Sequence, residues 1–437
     1  MRFSATAVAD AVGGELVGPD VTVDGGSTDS RTLVAGQLFV PVVADRDGHE
    51  FIGAALAAGA PAYLTARMLV GSSAVRVDDT SAALWALGTH ARTRVSALVV
   101  GITGSVGKTT VKDLVAGGLA ACFRTHATHA SFNNELGVPL TLLATPDGTE
   151  VLVLELGARH PGDIARLRDL TRPAIGVITS IGTAHAEHLG GPDGVSNEKG
   201  SLIEDLPRTG YAVLNNVECG PDVKRRTVAT VVTFGRDSGD VRGVVVDRDD
   251  ELRPTVRIES PWGSGEITLA LRGDHQASNA AAAVAVAVCA GASLELALAG
   301  VASAEGSALR NEFWRAPSGL RVLNDSYNAN PASMAAALHN LALVDAPRRV
   351  AVLGEMAELG EESVEAHRRM SVLAGSLGIE VVAVGGAPYA GTPVDGLDDA
   401  LDLIKGLSPD SVVLLKASRT VGLDRLATRL RNGAGTR

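Results

Sequence analysis

Cysteine, aromatic side chains and positive charge are all in short supply in this chain, and each shortage closes a class of function. Three cysteines stand among 437 residues. Cys122, Cys219 and Cys289 lie far apart with no CxxC pair, which excludes a disulfide framework and a cysteine zinc site and points to a reducing compartment. Lys and Arg number 39 against 50 Asp and Glu, for a formal charge of −11. Such a chain has no overall attraction for phosphate backbones or anionic lipid, so nucleic acid is not an expected partner and any anionic ligand must meet a local cluster of donors. Long hydrophobic runs are missing too. The longest, from Ala280 to Ala292, falls well short of the roughly 20 residues that span a bilayer. The first residues, Met1 to Gly14, lack a charged stretch followed by an apolar one, so the expectation is a soluble cytoplasmic protein with no stable membrane insertion. With aromatics at 3% and Gly at 50, the core must be built from Val, Leu, Ile and Ala, which suits buried parallel strands covered by Ala-rich helices.

What is present is an α/β rhythm. At about 150 residues per domain the length predicts roughly three domains, and the pattern places them at 1–96, 97–305 and 306–437. The first mixes short segments and turns, with a helix expected from Ile52 to Ala58. The second opens on a continuous apolar run, Ala97 to Thr103, the mark of a strand buried on both faces. Val151 to Leu156, Ala174 to Ser180 and Tyr211 to Leu214 repeat it, with helical patterns between, so a doubly wound sheet is predicted. Residues 241 to 271 alternate in the manner of appended antiparallel strands, and an Ala-rich helix from Ala277 to Ala290 follows. Further strands are expected at 321–324, 349–354, 380–385 and 412–415.

A strand, a glycine-rich turn and a helix start meet at residues 101–110, GITGSVGKTT. Gly104 and Gly107 let backbone amides approach phosphate oxygens, with Ser105 and Val106 completing the turn. Lys108 would reach the β and γ phosphates and the Thr109 hydroxyl would meet Mg²⁺, with Thr110 following in the helix. Gly101 stands six residues before Gly107 where the generic phosphate-loop pattern has five. A nucleotide loop alone leaves switch, kinase, motor and ligase open.

The other motifs separate them. TGSVGKTT (103–110), SFNNELGVPLTLL (131–143), LELGARHPG (154–162), SIGTAHAE (180–187), GDHQASNAAA (273–282), NDSYNANPASM (324–334) and KASR (416–419), read in order, resemble the Mur ligases. The segments DSR (29–31), GQLFV (36–40) and DGHEF (47–51) are similar to the first domain of that family. The resemblance implies a small α/β N-terminal domain, a central doubly wound ATPase domain with the phosphate loop, and a Rossmann-like C-terminal domain. It further implies an ATP-dependent amide ligase of peptidoglycan precursor synthesis that joins D-Ala-D-Ala to a UDP-N-acetylmuramoyl-tripeptide through an acyl phosphate, as a monomer. By resemblance Glu155, His185 and Thr109 are ligands of two Mg²⁺ ions, and Lys199 is carbamylated to become another. Asn279 meets adenine, Arg310 the ATP phosphates, Asp325 the ribose, and Tyr327, Asn328 and Asn330 lie near nucleotide and dipeptide. Ser30 and Arg31 match the uridine end.

Structural readings stand beside several of these. Glu155 can be a solvated strand-end carboxylate, Asn279 a helix cap, and His185 a turn residue. Asn133 and Asn134 either orient muramyl peptide or γ-phosphate or fix a turn. Lys416 and Arg419 either meet a substrate carboxylate or are solvated charge. Val106 where the family often has Asn, Ser201 after LysGly, and Ala417 in the KASR run depart from the family pattern. They leave room for a paralogue joining another carboxylate to another amine; a nucleotide-switch NTPase is the rival from a different class.

Overall fold

The computed structural model describes residues 1–437 apart from 68, 72, 183–185 and 434–437, and apart from the side chains of 186 and 188. Near the N-terminus Arg2–Ser4 pairs antiparallel with Thr22–Asp24, and a five-stranded sheet runs in the order Glu15–Val17, Ala74–Arg76, Tyr63–Thr65, Leu38–Phe39, Gly26–Ser27. The expected helix is Ile52–Ala57. A longer one, Thr80–Arg94, begins where the Asp79 carboxylate accepts the amides of Ser81 and Ala82 (2.7 and 3.0 Å). It lies against the helix Gly137–Ala144, with Gly88 so close to Pro139 that a Cβ would stand 2.7 Å from the ring. Leu84 and Leu87 thereby join the cluster that contains Leu152 and Leu154 of the central sheet.

That sheet has nine strands. Thr125–Ala127, Val151–Glu155, Leu98–Thr103, Ile175–Ile178, Tyr211–Asn215 and Thr230–Gly235 run parallel in this spatial order. Val241–Arg248 joins through Phe234 and Val241, and Pro254–Ser260 and Gly263–Thr268 extend it antiparallel, as the alternation at 241–271 predicts. From Leu98–Thr103 the chain first builds the sheet on one side, then crosses to the other. The carboxyl end of that strand is therefore the topological switch point where open α/β sheets place ligands. Glu155 is paired with Ile102 and Ile178 with Thr103, so the ends of all three central strands stop at one level.

Small residues let the layers approach. In the helix Gln276–Cys289, Ala280 to Ala287 are all fully buried. Gly243 lies under its first turn, where a Cβ would stand 2.1 Å from the Ala277 carbonyl oxygen. The last sheet runs Glu312–Arg315, Arg321–Asn324, Val412–Lys416, Arg349–Leu353, Glu380–Val384, Thr392–Val394. Four of these are the predicted strands. The antiparallel edge strand Glu312–Arg315 is not, because it is short and half-buried; Phe313 joins the cluster on one face and Trp314 the cluster on the other.

Gly243→Ala should therefore cost about 1–3 kcal/mol, since backbone rather than a flexible side chain blocks the Cβ. Gly53→Ala, inside Ile52–Ala57 with nothing within 4 Å, should stabilise by about 0.5–1 kcal/mol. Thermal midpoints of the two variants check this; equal shifts would refute the close helix–sheet contact.

Candidate active site

The phosphate loop leaves the strand Leu98–Thr103 through two glycines with left-handed backbone, Gly104 (φ 148°) and Gly107 (φ 86°). A Cβ on Gly104 would fall 2.0 Å from the Thr179 hydroxyl, so only glycine fits. The helix Lys108–Ala120 follows with no side chain capping it, which leaves its first-turn amides for an anion. Lys108 lies back over the loop and donates to the Gly104 carbonyl (2.7 Å). Burial lowers its pKa; Glu155 and Glu358 oppose the shift and Arg310 reinforces it. Ser105 and Val106 depart from expectation. Their amides donate to the Ser180 carbonyl (3.0 Å) and hydroxyl (2.7 Å), while the Thr179 hydroxyl donates to the Val106 carbonyl (2.6 Å). These two residues fasten the loop to the neighbouring strand end, so the amides of Gly107, Lys108 and Thr109 form the cradle.

Glu155 ends its strand and is 1% exposed, which rules out the solvated reading. Its Oε1 accepts from Asn133 Nδ2 (2.7 Å), and its Oε2 is buried with no partner. An orphaned carboxylate oxygen costs about 1–3 kcal/mol or more unless something cationic meets it. Asn133 thus holds Glu155 rather than standing free for a substrate, and its carbonyl accepts the Gly157 amide (2.7 Å). Asn134 takes the turn-fixing alternative: its Oδ1 accepts the amides of Leu136 (3.3 Å) and Gly137 (2.9 Å). Lys199, on the helix Gly191–Gly200, is 1% exposed. Burial first, and Lys108 second, push its pKa down to about 7 against the pull of Glu198 and Asp163. Lysine neutral near pH 7 is the form that reacts with CO₂. The Thr109 hydroxyl, the Glu155 orphan and a Lys199 carbamate make a hard-oxygen set that fits Mg²⁺. His185 lies outside the described residues.

A cleft of about 1340 Å³ joins this loop to the C-terminal sheet. Arg310 crosses it: one guanidinium nitrogen donates to Thr109 Oγ1 (3.2 Å), and the group stacks 4.3 Å from the Tyr327 ring centroid. Its neighbours Leu309 (φ 65°) and Asn311 (φ 47°) are both left-handed, a rare backbone for side-chain-bearing residues. Tyr327 also hydrogen-bonds Ser131 through its hydroxyl. Asn279 lies inside the helix Gln276–Cys289, not at its cap, and donates to Gln276 Oε1 (2.7 Å); a Cβ on Gly107 would be 3.2 Å from its Oδ1. Asp325 accepts from Lys416 and from the Asn311 amide (3.3 Å). Lys416, 1% exposed, also donates to the Asn328 carbonyl (3.0 Å), so it is neither solvated nor free for a substrate carboxylate.

Asn330 differs from expectation in the same way. Its side chain caps the helix Pro331–Leu343, accepting the Ser333 amide (2.9 Å). Arg419 lines the cleft and pairs with Asp424 (3.2 Å). Thr110 and Asn328 line it as well. Ser30 and Arg31 do not; Arg31 is 86% exposed and folded onto Asp29 (2.6 Å). Titratable cleft residues that went unread in the sequence include His275 and Glu218. His275 sits within a quoted motif and its pKa is lowered by burial, while Glu218, raised by burial, accepts the Ile181 amide (2.7 Å).

Residues 102–287 match the Mur ligase middle domain and residues 309–419 the Mur ligase glutamate ligase domain. The UDP-N-acetylmuramoyl-tripeptide–D-alanyl-D-alanine ligase of Mycobacterium bovis is 36% identical over 92% of this chain and 91% of its own length. The enzyme of that name from Escherichia coli is 34% identical over 97% of both chains. MurF from Acinetobacter baumannii superposes with a TM-score of 0.87 at 30% identity over 99% of each chain. MurF from Thermotoga maritima, solved in complex with ADP, gives 0.79 at 28% identity over 94% of this chain and 97% of its own. The chain belongs to the Mur ligase family, beside its MurF members. It is thus an ATP-dependent ligase that forms a C–N bond.

Because Asn133 holds one Glu155 oxygen so that the other faces the cleft, Asn133→Ala should weaken the apparent Mg²⁺ affinity about 10–100-fold. Phosphate release titrated with Mg²⁺ reads this. A lower maximum rate at unchanged Mg²⁺ dependence would refute the positioning role.

Proposed function

We propose that this chain adds D-Ala-D-Ala to a UDP-N-acetylmuramoyl-tripeptide in the cytoplasmic synthesis of peptidoglycan precursors, as a monomer of three domains, 1–96, 97–305 and 306–437. The observation that carries the proposal is one cleft wall holding an uncapped helix start with Lys108 and an orphaned Glu155 oxygen, together with the buried Lys199, whose pKa is pushed down to about 7 in part by Lys108. Lys108 and the first-turn amides would bind the β and γ phosphates of ATP. Arg310, reaching over from the third domain, would add positive charge as the γ-phosphoryl passes to the tripeptide carboxylate. Asn279 would meet adenine, and Asp325, held by Lys416, the ribose. Bound Mg²⁺, two ions held by Thr109, Glu155, carbamylated Lys199 and His185, would neutralise the transferring phosphoryl group. Tyr327, Asn328 and Arg419 would line the dipeptide side, and Ser30 and Arg31 the uridine end.

Purified protein with ATP, Mg²⁺ and both substrates should release phosphate and yield the pentapeptide by mass, and Lys108→Ala should lose about 10³-fold or more. Phosphate release independent of the dipeptide would favour a switch NTPase instead. Carbamate formation should rise with pH through about 7, since below that Lys199 carries a proton and cannot attack CO₂. A carbon-13 bicarbonate signal, absent in Lys199→Arg and growing across that range, is the expected reading; a flat response would sink the carbamate.

A further inference from the structure

The nucleophile of that reaction arrives as an ammonium, and a proton must leave its nitrogen before the lone pair can attack an acyl phosphate. A base for that proton has to come from the carboxylates that line the cleft, Glu135, Glu155, Asp163, Glu218, Asp325 and Glu358. Glu155 is turned to the cation site, Asp325 is neutralised by Lys416, and Asp163 accepts the amides of Arg159 and His160 (2.8 Å each).

Glu358 stands on the C-terminal wall of the cleft, on the loop after Arg349–Leu353. It shares that cleft with the phosphate loop, and its charge opposes the lowering of the Lys108 pKa. Its backbone is left-handed (φ 64°), strain of about 1–2 kcal/mol that persists only where the surroundings impose it. They do so densely. The Gly354 amide donates to the Lys416 carbonyl (3.1 Å), the Ser418 amide to the Glu355 carbonyl (2.9 Å), and the Ala357 amide to the Ser418 hydroxyl (2.8 Å).

The Met356 amide donates to Nε2 of His367 (2.9 Å), a fully buried ring. Nδ1 of that ring donates to the Ser363 carbonyl (2.6 Å), which fixes the tautomer and makes Nε2 the acceptor. Tyr389 packs edge-on against the ring at 4.8 Å and donates to the Gly354 carbonyl (3.2 Å). Two steps past Glu358 the loop meets the central domain, where a Cβ on Gly360 would stand 2.9 Å from the Glu187 carboxyl. Charged groups on and around the loop include Glu355, Glu361 and Glu362 of the segment itself, Lys108, Glu187, and Arg419 beside Ser418.

We propose that Glu358 is a catalytic residue of the amide-forming step, receiving the ammonium of the incoming amine and taking its proton, with His367 and Tyr389 as positioning residues. This rests on the ligase reading above. One proton moves from nitrogen to the Glu358 carboxylate, and the freed lone pair bonds the acyl carbon. The C–O bond to phosphorus then breaks with its electrons going to inorganic phosphate, which takes the second amine proton; Glu358 returns its own to solvent.

Hydroxylamine separates this role from any other, because it is already neutral at neutral pH and needs no base to attack an acyl phosphate. Wild type and Glu358→Gln are given ATP, Mg²⁺ and the UDP-muramyl tripeptide, with either D-Ala-D-Ala or hydroxylamine as acceptor. Glu358→Gln should lose amide formation about 100-fold or more while hydroxamate formation stays within about threefold. Glu358→Asp should recover part of the loss, and Tyr389→Phe should show a smaller, equally acceptor-selective one. Equal loss of both products, or full amide formation by Glu358→Gln, would overturn the assignment. If wild type forms neither product, the ligase reading itself falls and takes this assignment with it.

Discussion

The active cleft depends on like charges crowded where water is scarce. Arg310 raises the cost of the charge on Lys108, and Lys108 does the same to Lys199. The chain answers with partners that an anionic ligand can replace. Lys108 leans on the Gly104 carbonyl and Arg310 on the Thr109 hydroxyl and the Tyr327 ring. A triphosphate supplies the missing negative charge without reorganising the wall, the preorganisation that electrostatic catalysis requires. Burial lowers the pKa of both lysines, and that of Lys199, 1% exposed and with no carboxylate balancing it fully, falls to about 7.

That crowding is assembled between the central and C-terminal sheets, and the chain that joins them is held by the nucleotide helix. Asp113, on the helix behind the phosphate loop, accepts both the Ser307 amide (2.9 Å) and hydroxyl (2.7 Å). Its neighbour Lys112 pairs with it (2.7 Å) and donates to the Thr128 carbonyl (2.9 Å). The linker is therefore tied to the nucleotide helix immediately before Leu309, Arg310 and Asn311. Left-handed backbone on both sides of Arg310 aims that side chain back across the cleft, so its reach is set by the linker. A turn of the chain at these residues would withdraw Arg310 from Thr109.

The central strands are legible in the sequence because burial on both faces leaves continuous apolar runs, as at residues 98–103 and 151–155. The phosphate loop is legible because strand, glycines and helix start are contiguous. Asn134 and Asn330 are ambiguous in the sequence for one reason: an asparagine that caps a turn or helix has the same local sequence as one that meets a ligand. Lys416 looks solvated beside Arg419, and only the fold reveals Asp325 above it. Glu358 and His367 are invisible to motif reading because their relation runs through the Met356 backbone across a loop and a helix turn.

The N-terminal residues pose the opposite problem. Ser30 and Arg31 belong to segments that resemble the family, yet they do not line the cleft with the phosphate loop. The geometry is still consistent with a long substrate. A nucleotide-linked peptide must place its reacting carboxylate at the phosphate loop while its diphosphate and uridine extend elsewhere, so donors for that end belong at a distance. Arg31 is exposed and holds only Asp29, and an exposed ion pair in water contributes little. Exchange of that carboxylate for another anion would therefore meet small resistance. Trp85, on the helix Thr80–Arg94, is the N-terminal residue that reaches the cleft, where Arg166 stacks 4.2 Å from its ring centroid.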